Sequence, residues 1–213
     1  MKNEVLKRLL SSIILIPIVF FFIIKGSTFF LVFLAATFFT TTYEWYQMSK
    51  KTTYYLPGVI FLLISFISAY LFRSTWNLYE FLTLIIICIF TDIGGYIFGK
   101  LFNGPKLTKI SPNKTYAGVF GGFIFAIIAY TIFVQNLDVI KFLTYNEKKT
   151  PDIFYVLIVS SISQLGDLTI SYFKRKFKIK NTGNLLPGHG GILDRIDGII
   201  FVIPIVYLFK ILN

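Results

Sequence analysis

The residues of this sequence best suited to chemistry are aspartates set beside long apolar runs. Asp194 and Asp197 stand three apart with Arg195 between them, and Asp92 and Asp167 each fall near the later end of an apolar stretch. A carboxylate in or next to a membrane helix is costly unless it is paired, hydrated or bound to a metal, so each is a functional candidate by default. At helical spacing Asp194 and Asp197 project from one face. Hard oxygen ligands of this kind suit Mg²⁺, which keeps several waters and bridges to phosphate oxygens. The plainer explanation is a pair of acids favoured by the positive end of a helix dipole. It would serve for an isolated Asp-x-x-Asp, and serves less well for four acids gathered on one side.

The flanking residues add anion-binding groups. Upstream runs Leu186-Pro187-Gly188-His189-Gly190-Gly191, whose glycines permit close backbone approach and whose amides can face phosphate. His189 is the only histidine of the chain, which excludes a multi-histidine metal site and leaves phosphate contact, proton transfer or loop structure as its roles. Asp167, Ser171 and Lys174 recur at i, i+4 and i+7, one stripe of a helix, with Arg175 following. A carboxylate, a hydroxyl and an ammonium on one face can hold a metal and a polyphosphate together. Asp92 is followed by Gly94 and Gly95, and the loop beyond it carries Ser111-Pro112-Asn113-Lys114-Thr115, in which Ser111, Lys114 and Thr115 are candidate phosphate ligands. The glycine spacing of a P-loop is missing there. Glu44, between Tyr43 and Trp45, falls where an interfacial aromatic belt is expected and receives no role.

These groups must be held by membrane helices. In 213 residues, 55% are hydrophobic, 25 are Phe and only 15% are charged, with a mean hydropathy of +0.73. Apolar stretches recur at the length of roughly 17–25 residues that crosses about 30 Å of hydrocarbon as a helix. The alternation of barrel strands is absent. The expectation is an all-α, polytopic transmembrane bundle forming one integral membrane domain over 1–213, with the motifs in its later part, about 86–213. About seven spans are expected, near 9–24, 27–45, 56–72, 78–99, 117–135, 152–172 and 194–211, and the first two could instead make a re-entrant hairpin. The net charge of +11 lies between the apolar runs, where it orients helices and attracts anionic lipid rather than nucleic acid. Lys2, Lys7, Arg8, Lys50, Lys51, Lys100, Lys106, Lys109, Lys114, Lys174, Arg175, Lys176, Lys178, Lys180 and Arg195 collect on one side if the N-terminus is cytosolic. That bias puts Asp92, Asp167, Asp194 and Asp197 on the cytosolic side at similar depth. The lone Cys88 excludes an internal disulfide or a cysteine metal cluster. The basic, apolar N-terminus lacks a clear small-residue cleavage site and reads as a retained first helix.

The run Ser171-Tyr172-Phe173-Lys174-Arg175, then Lys180, Gly183, Leu186 to Gly191 and Asp194-Arg195-Ile196-Asp197 resembles the signature of phosphatidate cytidylyltransferases, the CDP-diacylglycerol synthases. Gly166-Asp167-Leu168, Asp92 with its glycines, and Ser111-Pro112-x-Lys114-Thr115 are similar to that family too. The resemblance implies a multi-pass enzyme of the bacterial inner or cytoplasmic membrane, with its site on the cytosolic side. It would join CTP and phosphatidic acid into CDP-diacylglycerol and pyrophosphate with Mg²⁺ and a monovalent cation such as K⁺, and it would form a homodimer. It also implies that Asp167, Asp194 and Asp197 line the metal and nucleotide site. With Lys174 they make the expected catalytic set, and Asp92, Ser111, Lys114, Thr115, Ser171, Arg175, His189, Gly190, Gly191 and Arg195 make the substrate-binding set. Asn181 stands where the signature usually has Asp, Ile170 where an acid is frequent, and Tyr116-Ala117 where Trp and a polar residue are usual. Asn181 keeps an acceptor but loses a charge. The alternatives are a cytidylyltransferase acting on another lipid phosphate, an inactive homologue, and, from another class, a transporter with a cytosolic cation site.

Replacing Asp194 by Asn is expected to abolish CTP- and Mg²⁺-dependent lipid product formation in membranes. Near-normal turnover of that variant would remove the assignment.

Overall fold

The computed structural model describes residues 15–102, 104–108, 111, 114–135, 152–185 and 190–212. His189 and the rest of 186–189, with Pro112 and Asn113, lie outside these described residues, as do the first fourteen positions. Every regular element described is a helix: α1 (Leu15–Lys25), α2 (Ser27–Ser49), α3 (Tyr55–Thr75), α4 (Leu78–Phe102), α5 (Tyr116–Gln135), α6 (Ile153–Lys176), α7 (Leu193–Ile196) and α8 (Ile199–Leu212). By length and composition α3, α4, α5 and α6 can each cross a bilayer, while α1 and α8 are shorter apolar helices. The expected spans from 27 onwards fall on helices, the first begins outside the described residues, and the last divides into the single turn α7 and the apolar α8; four of the helices have the length and composition to span.

α2 has 23 residues, yet Thr37, Thr40, Thr41, Thr42 and Glu44 dilute its apolarity. The hydroxyls of Thr37, Thr40 and Thr41 donate to carbonyls three and four residues back, which satisfies them within the helix itself. A turn at Gly26 and Ser27, both with positive φ, separates α1 from α2, and Phe22 stacks on Phe33 across it.

Side-chain contacts fix which helix ends lie together. Lys210 near the end of α8 pairs with Glu80 at the start of α4. The Arg73 side chain near the end of α3 donates to the Ile23 carbonyl of α1 at 3.1 Å. At the opposite end, Lys176 of α6 reaches Tyr54, just before α3, at 2.6 Å. The main core of the bundle is built around α4, where Phe81, Leu82, Leu84, Ile85, Ile87 and Cys88 are buried against side chains of α2, α3, α5, α6 and α8. A second apolar cluster of Trp45, Leu62, Ile170, Leu193 and Ile200 gathers α2, α3, α6, α7 and α8 close to the charged end.

α4 and α5 touch backbone to backbone. A Cβ on Gly94 would lie 2.3 Å from the Gly121 carbonyl oxygen, and one on Gly121 would lie 2.3 Å from Cβ of Phe98. Small residues allow this approach where apolar burial against lipid gives helices no reason to associate. Gly121→Leu should force the pair apart, at the ~1–3 kcal/mol or more typical of overpacking. It is expected to lower the melting temperature in detergent clearly. Gly95→Ala, whose added Cβ would sit 3.6 Å from the Gly118 oxygen, should leave it nearly unchanged.

Candidate active site

α4 and α6 both begin at the end of the bundle where Lys210 meets Glu80, so they run in the same direction. Asp92 lies fourteen residues after Leu78, and Asp167 lies fourteen after Ile153. At 1.5 Å per residue both stand about 21 Å along their helices, towards the site end of the bundle. Below them the Thr91 hydroxyl donates to Ser160 Oγ at 2.9 Å, which ties α4 to α6.

Asp197 reaches the same end from the break between α7 and α8, because two glycines flank the approach. A Cβ on Gly166 would meet the Asp197 carbonyl oxygen at 2.9 Å, and one on Gly198 would meet Ser163 Oγ at 2.4 Å. The Asp167 and Asp197 carboxyls are therefore within hydrogen-bonding reach of each other. Two ionised carboxylates cannot make that contact without a shared proton or a cation. Asp197 is buried, its Oδ1 accepting the Gly198 N–H at 3.0 Å. Asp167 is about a quarter exposed, accepts from the Ser171 hydroxyl at 3.3 Å and is paired with Lys114. Asp92 feels the charges of Asp167, Lys114 and Arg195.

The loop between α4 and α5 delivers Lys114. Leu107 N–H donates to the Lys114 carbonyl at 2.8 Å and Tyr116 N–H to the Pro105 carbonyl at 3.1 Å, folding the loop back on itself. Thr115, an expected phosphate ligand, is buried, and its hydroxyl oxygen accepts the Gly118 N–H at 3.1 Å, capping α5. Ser111 sits in the turn before Lys114, with its carbonyl accepting the Lys114 N–H at 3.0 Å.

Asp194 takes other partners. Its Oδ1 pairs with Lys174 at 2.7 Å, and its Oδ2 accepts the N–H groups of Thr182 at 2.8 Å and Gly191 at 3.1 Å. Three apart on one helix face, Asp194 and Asp197 were expected to act together; the end of α6 and the returning loop engage the first, and Asp167 engages the second. Among the described residues no three His, Cys, Asp or Glu side chains converge closely enough to hold one ion. Gly190 adopts φ +87°, a conformation favouring glycine, and an added Cβ there would lie 2.9 Å from Asp194 Oδ2. Arg175 and Arg195 are exposed at the rim.

One contributor was missed by the reading of the sequence. The Glu44 carboxylate is buried and accepts from the Thr182 hydroxyl and from the N–H groups of Ile192 and Leu193. The rule that marks aspartates in apolar helices as functional candidates applied equally to Glu44, and its aromatic neighbours concealed it. Trp45 turns towards α3 and α6, with its indole N–H donating to the Tyr55 carbonyl at 3.1 Å and its ring edge-on to Phe173.

The arrangement places carboxylates on the floor, Lys114 and Lys174 beside them and arginines at the rim. Mg²⁺ is commonly held by one or two carboxylates completed by water and phosphate oxygens. The adjoining Asp167 and Asp197 carboxyls fit that requirement, and Lys114 pairs with Asp167 beside them. Asp194 could join them only by releasing Lys174 or the two amides it holds.

The chain is similar to known proteins over most of its length. Residues 54–212 match the model of the cytidylyltransferase family. The chain is 35% identical over 219 residues to the phosphatidate cytidylyltransferase of Rickettsia bellii, covering 98% of this chain and 92% of that protein. It is 39% identical over 157 residues to the protein of the same name from Staphylococcus haemolyticus, covering 73% of this chain and 58% of that one. With the paired acids, the Lys174–Asp194 contact and the glycine turn all inside the matched region, the chain belongs to the cytidylyltransferase family.

Proposed function

We propose that this protein is a phosphatidate cytidylyltransferase, a membrane enzyme that joins CTP and phosphatidic acid into CDP-diacylglycerol and pyrophosphate. The observation that carries the reading is the meeting of Asp167 and Asp197 beside Lys114 at the charged end of an apolar bundle. The name borne by the R. bellii relative, aligned over nearly the whole chain, supports the substrate pair.

The topology we favour has seven spans, a cytosolic N-terminus and the site facing the cytosol. It is supported by the basic residues near the site, among them Lys50, Lys51, Lys100, Lys106, Lys178 and Lys180, against Lys25, Arg73 and Lys210 at the other end. The Tyr54, Tyr172 and Lys176 cluster, with Lys176 over the Tyr54 ring at 4.0 Å, suits a membrane–water boundary.

In the proposed reaction an ionised oxygen of the lipid phosphate attacks the α-phosphorus of CTP. A new P–O bond forms there as the bond to the β-phosphate breaks, and pyrophosphate leaves with the electron pair. The nucleophile is already an anion, so no strong general base is needed, and the protein acts by positioning and electrostatics. Asp167 and Asp197 would hold Mg²⁺, which neutralises phosphate charge when bound. Lys114 and Lys174, both partly shielded from water, sit where an exchange of partner from carboxylate to phosphate is short. Arg175 and Arg195 would neutralise the departing pyrophosphate from the rim.

Purified protein given labelled CTP, Mg²⁺ and phosphatidic acid, beside other lipid phosphates, should yield CDP-diacylglycerol from phosphatidic acid by preference. Label recovered only in a different lipid would redirect the assignment to that acceptor, and no lipid product would overturn it. Asp197→Asn removes the buried member of two adjoining acids without changing volume. Its melting temperature is expected to hold or rise while turnover falls by ~10²-fold or more, the scale of a lost electrostatic contact in a water-poor site; a variant that loses stability but keeps turnover would contradict this role.

A further inference from the structure

Glu44 lies on α2, ahead of the residues 54–212 that match the family model. Its carboxylate is 3% exposed and accepts from the Thr182 hydroxyl at 3.0 Å, the Ile192 N–H at 2.8 Å and the Leu193 N–H at 2.9 Å. All three donors belong to the two stretches of chain that also hold Asp194. Thr182 gives its hydroxyl to Glu44 and its amide to Asp194; the adjoining amides divide in the same way, Gly191 to Asp194 and Ile192 and Leu193 to Glu44.

Two glycines make room for this carboxylate. A Cβ on Gly191 would lie 2.4 Å from Glu44 Oε2, and one on Gly183 would lie 2.8 Å from Oε1. Part of the small-residue character of this segment thus answers to a side chain from a distant helix. Glu44 is itself held in place, because Trp45 packs its indole against Gly58 of α3 and Phe173 of α6.

We infer that Glu44 is a positioning residue: an α2 carboxylate that fixes Thr182 and the Gly191–Leu193 stretch and thereby aims Asp194 and Asp197. It acts on those acids through the Thr182 hydroxyl and the Ile192 and Leu193 amides of the chain that carries them. The kinetic consequence rests on the transferase reading proposed above, while the geometric one does not. Groups that orient the ligands of a metal typically change metal affinity or activity by about 10–100-fold when lost.

The test uses the full-length protein in detergent with Glu44→Gln, Glu44→Ala and Thr182→Val. Hydrogen exchange read by mass spectrometry should quicken by about tenfold or more in peptides spanning 182–197 of the Glu44 variants, with the α4–α5 pair unchanged, a local opening of the kind such exchange resolves. The Mg²⁺ concentration for half-maximal turnover should rise by about 10–100-fold, with little change in KM for the lipid. Thr182→Val keeps the amide contact to Asp194 and loses only the hydroxyl, so it should shift both readouts the same way by less. The inference is overturned if folded variants keep wild-type exchange and Mg²⁺ dependence. It is equally overturned if they only reduce the folded fraction, the survivors behaving as wild type. Should both Glu44 variants fail to fold, Thr182→Val decides by the same two readouts. A wild-type protein making no CDP-diacylglycerol would defeat the transferase reading, and the exchange measurement would still decide the role of Glu44.

Discussion

A charge in an apolar bundle must find a partner, and that constraint organises this molecule more than any other. Asp167 leans on Lys114, Asp194 on Lys174 and two amides, and Glu44 on three donors of the returning chain. Removing one member of such a set leaves its partner buried and unmatched, a costlier state than never having placed the set at all. The helices are arranged so that no member is left alone. The loop after α4 folds back to bring Lys114, α6 runs on to bring Lys174, and the chain dips between α6 and α8 to bring Asp194 and Asp197.

The same constraint divides the site into a part suited to chemistry and a part suited to holding shape. Asp167 and Asp197 adjoin each other, and two such carboxyls call for a shared proton or a cation. Asp194 is the opposite case, satisfied by an ammonium and two N–H groups. Three carboxylates equivalent in sequence type are thus unequal in environment, and environment sets what each can do.

The helices were legible because lipid leaves the chain few ways to satisfy its backbone, so the lengths of the apolar runs translate directly into helices. The α7–α8 break was less legible, because Asp194 and Asp197 at helical spacing read as the first turn of one last helix running on into the apolar residues. Among site residues, those on one helix at regular spacing, Asp167, Ser171 and Lys174, could be grouped from periodicity alone. The pairing of Lys114 with Asp167 and the reach of Glu44 to Thr182 depend on which helices become neighbours, and no local spacing encodes that. Gly191 shows how a residue type can mislead: its small size suggested room for phosphate, and here that room is filled by Glu44 and Thr182.

The placing of Asp92 and Asp167, each about 21 Å along helices of 25 and 24 residues, has a consequence for any lipid substrate. In a bilayer that α4 and α6 span, acids so placed would lie within reach of a phosphate whose acyl tails stay among their neighbours. Lifting a two-tailed lipid into water would expose dozens of methylenes at ~0.8 kcal/mol each. A recess at this depth transfers the work of desolvation to the soluble reactant, which descends to meet a headgroup that hardly moves.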